Sequence, residues 1–293
     1  MPEQSTPPEL PLLAVPNVSE GRDAAALDAI GECFASAATL LDRHADPDHH
    51  RAVFTLAGEA GRLAQALQAG AREALARIDL GTPRGAHPHV GALDIAPVVH
   101  WRPSQRGAAC AEALLAAELI GELGVPVLLY GQLAGGRTRA ELRRGGREAL
   151  AGRLERGELQ PDFGPARLHP TAGATLVAAR APLIAFNLEL APPATVETAR
   201  EIAAAIREPG VLAAIGIELG AREGTAQVSM NVEDAFALPL VVIVEQVAAR
   251  AEVAAAEIVG LVPSAALAGF PGDLEIRGFD PERQVAESAL GSG

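Results

Sequence analysis

The stretch Leu12-Leu13-Ala14-Val15-Pro16-Asn17-Val18-Ser19-Glu20-Gly21-Arg22-Asp23 sets the first strand, loop and helix start of a pattern that the chain then repeats. Its apolar run stops at Pro16 and enters a polar segment, which reads as a strand feeding a loop. Asp23 suits a helix N-cap, and residues 24–37 carry apolar side chains at helical spacing. Residues 39–42 and 52–56 are strand-like runs around a charged loop. Leu63, Leu67, Ala71, Ala74 and Ile78 then mark one face of a long amphipathic helix, and residues 92–100 read as a further strand. The order is β-α-β-β-α-β.

The same order returns without strong residue identity. Residues 182–190 are apolar and β-rich, and residues 195–207 form an amphipathic helix with Thr195 near its cap. Residues 211–219 and 226–232 look like paired strands, residues 237–251 carry a helical stripe, and residues 258–262 close the unit as a short strand. Between the two units lie a helix (105–123), a strand (125–130), a basic helical stretch (138–156) and a loop rich in Pro and Gly (160–173). The fold class is therefore α+β with two sub-domains. Each is a ferredoxin-like sheet with helices on one face, and a ligand cleft lies between them. The expected divisions are a disordered tail at 1–11, an N-terminal sub-domain at 12–180 and a C-terminal sub-domain at 181–293.

Composition narrows the function. A net charge of −13 argues against nucleic acid as the main ligand, because neutralising phosphates takes clustered Lys and Arg. With aromatics at 3%, the core is built mainly from Ala, Leu and Val. The N-terminus lacks a basic, apolar leader, and no run is long enough to span a bilayer, so no membrane role is expected. Cys33 and Cys110 have no CxxC partner and read as small buried apolar residues, which fits a cytoplasmic protein.

Three polar clusters sit beside strand ends. Asp42-Arg43-His44-Ala45-Asp46-Pro47-Asp48-His49-His50-Arg51 offers carboxylates and imidazoles, which leaves open a solvated hairpin loop, a metal site or an organic-ligand site. Arg84-Gly85-Ala86-His87-Pro88-His89-Val90-Gly91 presents His87 between glycines, with Pro88 biasing it towards an extended backbone. An imidazole held in that way suits proton transfer near neutral pH, although a turn in which the ring caps a carbonyl is the commoner reading of the residues alone. Pro161-Asp162-Phe163-Gly164-Pro165, running on to Gly173, is a stiff loop that serves either as a connector or as a surface for a flat ring or a carboxylate. Gly135-Gly136-Arg137 is no P-loop, and neither GxGxxG nor GxSxG occurs in the right setting. The run Arg143-Arg144-Gly145-Gly146-Arg147 reads as a solvated break or end in a helical stretch, with attraction of an anionic ligand as the other reading.

These motifs, with Val127-Leu128-Leu129-Tyr130-Gly131, Ala185-Phe186-Asn187, Ala226-Gln227-Val228-Ser229-Met230-Asn231 and Val259-Gly260-Leu261-Val262-Pro263, occur in order over roughly residues 12 to 265. Together they resemble the glutamate formiminotransferase family. The resemblance implies two α/β sub-domains around a folate tunnel. It also implies transfer of the formimino group of N-formimino-L-glutamate to N5 of tetrahydrofolate, the co-substrate, with release of glutamate in histidine breakdown. The family's catalytic histidine falls on His87. Its folate-binding stretch falls on Gly164, Pro165, Ala166, Arg167, Leu168, His169, Pro170, Thr171, Ala172 and Gly173.

Asp46 or Asp48 would then orient His87 or hold the charge of the amidine, and Arg51 would clamp a substrate carboxylate, with His50 beside them. No metal is assigned. The family usually carries Asn where His50 stands, Glu at Ala86, Arg at His89 and Glu at Gln132, and these changes bear on which amino acid donates the group. A metal-dependent amidine hydrolase and a non-catalytic folate-binding homologue are the competing readings. The expected partners are small molecules, with a homodimer left open and a separate cyclodeaminase to process the product.

Overall fold

The computed structural model describes residues 11–81 and 89–291 of the chain. The expected acid/base His87 lies outside the described residues, as do residues 1–10 of the expected tail. The fold is α+β, built on two sheets.

In the first sheet, β1 (Leu12–Ala14) and β2 (Asn17–Val18) are two pieces of one path, broken at Val15-Pro16. The helix α1 (Ala24–Ala35) starts where expected, with the Asp23 carboxylate accepting the Ala26 N–H at 3.0 Å. The strands β3 (Thr39–Asp46) and β4 (Arg51–Gly58) form a hairpin, and α2 (Arg62–Arg77) follows with Leu63, Leu67, Ala71 and Ala74 buried. Then come β5 (Leu93–Val99), α3 (Arg106–Gly121), β6 (Val127–Leu129), α4 (Arg139–Arg143), α5 (Gly146–Glu155) and β7 (Thr175–Arg180). Across the sheet the order is β3, β4, the β1/β2 path, β5, β7, β6. Pairing is antiparallel as far as β5, whereas β7 runs parallel to β5 and β6 parallel to β7.

That parallel extension corrects two expectations. The first sheet has seven strands, because residues 175–180, given no element by the sequence reading between the 160–173 loop and the boundary near Arg180, form β7. Helices also cover both faces at this end. Val127, Leu129, Val177 and Ala179 face the core under α1, α2 and α3, while Leu128, Leu176 and Ala178 face Leu142, Leu150 and Leu154 of α4 and α5. Parallel strands joined by helical crossovers are buried on both sides, so the one-sided arrangement holds only for the antiparallel part. The basic helical stretch breaks within the 143–147 run, as the sequence suggests, into α4 and α5 at Gly145 and Gly146, both with positive φ.

The second sheet contains β8 (Ile184–Leu190), β9 (Leu212–Leu219), β10 (Thr225–Val232) and β11 (Val253–Val259), with α6 (Val196–Ile206) after β8 and α7 (Leu240–Ala248) after β10. Its order is β11-β8-β10-β9, antiparallel throughout. Here α6 opens with a capping box at Thr195 and Thr198. The last strand lies earlier than the 258–262 expected, since the run Val253–Val259 is buried against β8. Ile184, Phe186, Leu188, Val228, Met230 and Ile258 pack under α6 and α7. Their alternate neighbours Ala185, Asn187, Ser229, Asn231, Glu257 and Val259 point to the opposite, helix-free face and line the cavity described below. The chain ends in α8 (Pro281–Gln284) and α9 (Ala286–Gly291). Both cysteines are free and only half-buried, a correction to their expected full burial.

The start of α2 depends on a neighbouring helix. Its N-cap is Gly61 at φ 80°, which has no side chain to offer the free N–H groups of the first turn. Glu112, on α3 and 3% exposed, takes that place, accepting from Gly61 N at 2.5 Å and Ala64 N at 2.6 Å. Its negative charge also sits at the positive end of the α2 dipole. Glu112→Ala is therefore expected to lower the unfolding free energy by about 2 kcal/mol in a denaturant titration. Glu112→Gln should lose less than that.

Candidate functional site

The faces of the two sheets turned away from α1, α2, α6 and α7 border a cavity of about 810 Å³. Leu13, Asn17, Asp46, Arg51 and Ile95 reach it from the first sheet, and Asn187, Ser229, Asn231 and Glu257 from the second. Six arginines also line it, Arg51, Arg139, Arg143, Arg144, Arg180 and Arg207, in a chain whose net charge is −13. The carboxylates of Asp46, Glu208, Glu233 and Glu257 line it too, so cations and anions share one cavity and the arginine side of it suits an anionic group.

The basic side is organised by Asp94, which has no exposed surface. Its Oδ2 accepts from Arg51 Nη1 at 2.9 Å and from Arg143 Nη2, and its Oδ1 accepts the Val90 N–H at 2.8 Å. Arg51 Nε donates to Asn17 Oδ1 at 2.8 Å. Burial pulls Arg51 down to about 10 against the pull of Asp94, so it remains a cation at neutral pH. Arg180 is likewise lowered by burial to about 10, and its Nε has no hydrogen-bond partner among the described residues. Arg143 and Arg147 are half-buried, which corrects the solvated reading of their run. The former pairs with Asp94, and the latter donates to the carbonyls of Leu80 and Pro170.

The acidic side adjoins it, because Asp46 and Arg51 are direct cross-strand partners. Asp46 Oδ1 accepts from the N–H groups of Asp48 at 2.7 Å and His49 at 2.8 Å, forming the β3–β4 turn. His44, Asp46 and Glu257 each offer a ligand atom within 4.8 Å of the others. The Arg222 guanidinium lies beside them, 3.5 Å from Glu257 Oε1 and 3.9 Å from Asp46 Oδ2. Burial works against that cation, but the carboxylates of Glu257 and Glu189 outweigh it and hold Arg222 above its ordinary value.

The β3–β4 turn is not the solvated loop that one reading allowed, since Asp46, Asp48, His49 and His50 are all buried. Of the cluster singled out in sequence, His44, Asp46, His49 and Arg51 reach the cavity. Asp48 is not among its lining residues; its Oδ1 accepts the Ala221 N–H at 2.5 Å and so ties the first half to the second. His50 also lies outside the lining, with Nδ1 3.3 Å from Gly21 N and 3.4 Å from Glu20 Oε1. Its φ is +49°, a left-handed conformation in which Asn and His are both enriched among non-glycine residues. Standing where the resembled family usually carries Asn, His50 therefore preserves a turn. A Cβ on Gly21 would come 2.2 Å from Asp46 O, which accounts for the glycine of the Ser-Glu-Gly motif packed under that turn.

The stretch Gly164, Pro165, Ala166, Arg167, Leu168, His169, Pro170, Thr171, Ala172 and Gly173 contributes nothing to the cavity lining. It binds both flanks of the His87 segment instead. Leu80 N donates to Thr171 O at 2.9 Å, Ala92 N to Ala172 O at 2.8 Å, and Ala174 N to Val90 O at 2.9 Å. Gly91 and Gly173 bridge so closely that a Cβ on Gly91 would lie 2.0 Å from Ala174 O. Asp162 of the Pro-Asp-Phe-Gly-Pro motif accepts from Leu129 N at 2.7 Å and pairs with Arg137, fixing this loop to β6. Arg143 belongs to the run read in sequence as able to attract an anion, whereas Asn17, Asp94, Arg180 and Glu257 were given no site role there. For Asp94 a signal existed, a charged residue inside the apolar strand 92–100; for the others only the fold supplies one.

Residues 12–180 match the family model described as formiminotransferase domain, N-terminal subdomain. The chain belongs to the formiminotransferase family. It is 34% identical over 292 residues to the glutamate formimidoyltransferase of Streptococcus pyogenes serotype M1, covering 94% of this chain and 97% of that one. Identity to the glutamate formimidoyltransferase of Thermoplasma acidophilum is 33% over 296 residues, with the same coverage. The formimidoyltransferase-cyclodeaminase of Gallus gallus is 37% identical over 278 residues, which are 86% of this chain but 50% of that protein. The chain thus spans about half the length of the cyclodeaminase-fused relatives and nearly all of the shorter ones.

Two outcomes follow from the site geometry. Asp94→Asn leaves two buried guanidiniums without their shared anion, so unfolding should become easier by about 3 kcal/mol in urea or guanidinium. Asp42, on β3, is raised by burial, and its Oδ2 has no hydrogen-bond partner among the described residues. The folded state then holds its proton more tightly than the unfolded chain, so ionised Asp42 subtracts stability above its folded pKa. Asp42→Asn should raise the melting temperature at pH 7, and the gain should shrink on acidification towards pH 4.

Proposed function

We propose that this chain transfers a formimino group from N-formimino-L-glutamate to N5 of tetrahydrofolate, giving 5-formiminotetrahydrofolate and glutamate. The observation that carries the reading is the charge-divided cavity between the sheets, with Arg51 and Arg143 beside Asp46 and Glu257. A donor of this kind has an amidine that is cationic when protonated and two carboxylates, and it needs both signs of charge within one site. Similarity along nearly the whole chain to proteins named glutamate formimidoyltransferase supports the same reading.

His87 is the proposed acid/base. N5 attacks the formimino carbon and a tetrahedral intermediate forms. The imidazole takes the N5 proton and returns it to the glutamate nitrogen, whose bond to carbon then breaks to release the amine. Arg51 clamps a donor carboxylate and Asp46 holds the amidine charge. Asp48 and His50 support the turn that presents them. Tetrahydrofolate lies against residues 164–173, whose backbone anchors the two flanks of the His87 segment. The N-terminal sub-domain, 12–180, carries His87 and the folate stretch, and the C-terminal sub-domain, 181–293, closes the other wall of the cleft. Each has the ferredoxin-like β-α-β-β-α-β unit at its base, the first extended by β6 and β7. The product passes to a separate cyclodeaminase in the cytoplasm, and a homodimer through exposed sheet edges is the proposed assembly. No helix among the described residues is long and apolar enough to cross a membrane.

Incubating the protein with tetrahydrofolate and N-formimino-L-glutamate, and separately with N-formimino-glycine, tests this by the absorbance of 5-formiminotetrahydrofolate. Turnover with the glutamate donor is expected, and no product from either donor would refute the reading. His87→Ala should lower kcat by about a hundredfold or more while folate binding persists; an unchanged rate would remove His87 from the mechanism.

A further inference from the structure

We propose that Asp46 and Glu257, with His44 at their side, form a seat for a planar amidinium cation, and that the Arg222 guanidinium leans into this seat until an amidine ligand displaces it. The proposal rests on the formimino-transfer reading of the cavity and adds the groups, one from each half of the molecule, that select a cationic donor.

Each carboxylate has one oxygen committed to the protein and one turned to the shared space. Asp46 Oδ1 is engaged by two backbone N–H groups of its own turn, whereas Oδ2 has no hydrogen-bond partner among the described residues, although the side chain is only 6% exposed. Glu257 Oε2 accepts from Asn187 Nδ2 at 2.8 Å. Glu257 Oε1 faces His44 Nε2 at 3.6 Å and Arg222 Nη2 at 3.5 Å, both longer than a good hydrogen bond. Two half-satisfied carboxylate oxygens in a largely buried wall match a ligand that offers two N–H donors on one delocalised, positively charged plane.

Arg222 shows the preference of the seat without filling it. Its firm partner is Glu189, which Arg277 also holds at 3.0 Å, and it reaches Asp46 Oδ2 only at 3.9 Å. Among the described residues, the carboxylates of Asp46, Glu189 and Glu257 meet two guanidiniums here, Arg222 and Arg277, which leaves one negative charge in excess. An entering amidinium supplies the missing cation, and Arg222 keeps Glu189 as it withdraws. A neutral amide of the same shape would set a carbonyl oxygen or a single N–H against these oxygens, and it would be disfavoured. The adjoining Arg51 takes the carboxylate of the same ligand, so the cross-strand pair Asp46 and Arg51 reads both charges of a donor at once.

Calorimetry on the full chain without folate tests this with two probes that differ at one group, N-acetimidoyl-L-glutamate (amidinium) and N-acetyl-L-glutamate (neutral amide). The wild type should bind the amidine at least about tenfold more tightly. Glu257→Gln should bring that ratio close to one with little change for the amide. Arg222→Gln, which removes the competitor, should tighten amidine binding several-fold, a gain that a misfolded variant cannot imitate. Equal affinity for the two probes, binding of neither, or a ratio that survives Glu257→Gln overturns the seat. So does stoichiometric Mn²⁺ binding that Glu257→Gln abolishes without any amidine preference. Transfer activity measured alongside keeps the two readings apart. Turnover with a ratio of one sinks the seat alone, and a tenfold ratio without turnover sinks the transferase reading alone.

Discussion

Asp94 is the point on which the site depends. Its carboxylate is fully buried, and it accepts at once from Arg51 on β4, from Arg143 at the end of α4 and from the backbone of Val90. One charge thereby joins the antiparallel hairpin, the helical crossover of the parallel strands and the exit of the His87 segment. A carboxylate so placed is costly unless paired, and two guanidiniums around one anion leave a net positive wall facing the cavity. The same interaction that holds the elements together therefore also makes the site basic within an acidic protein.

The second constraint is the face that each sheet leaves bare. The antiparallel parts carry helices on one side, where Phe54, Phe186 and their neighbours make the cores, and the other sides turn towards each other. With side chains alternating along a strand, His44 and Asp46 of β3, Arg51, Val53 and Thr55 of β4, Asn187 of β8, Ser229 and Asn231 of β10 and Glu257 of β11 are presented to one space. Polar clusters far apart in the chain, residues 44–51, residues 139–144 and single side chains of the second sheet, are gathered there. Asp48 adds a direct tie across this space by accepting the Ala221 N–H at the start of the loop that carries Arg222.

Several motif residues have duties that are structural before they are chemical. Gly21 and Gly91 leave no room for a side chain against the Asp46 and Ala174 carbonyls, His50 holds a left-handed turn, and Asp162 fixes the Pro-Gly loop to β6. These set the backbone of three loops to which Asp46, Arg51 and the flanks of His87 belong. The loop of residues 170–174 does the same for the His87 segment by bonding on both sides of it. Ligand-binding loops are commonly fixed in this way, by scaffolding rather than by contact with the ligand.

The amino-acid sequence determined the local periodicities, the Asp23 and Thr195 caps, the position of most strands and the ordered motifs that identify the family, because each of these depends on neighbours along the chain. It also carried Asp46 and Arg51, which sit in one charged run. What it did not determine was the parallel extension through β7, since a short apolar strand after a loop looks like any other boundary until β5 and β6 pair with it. Nor did it reveal that Glu112 caps a helix 48 residues away, that Arg143 is paired rather than solvated, or that Glu257 meets Asp46. Those are contacts between segments far apart in sequence, and only the tertiary structure, by burying their charges in pairs, decides which side chains meet.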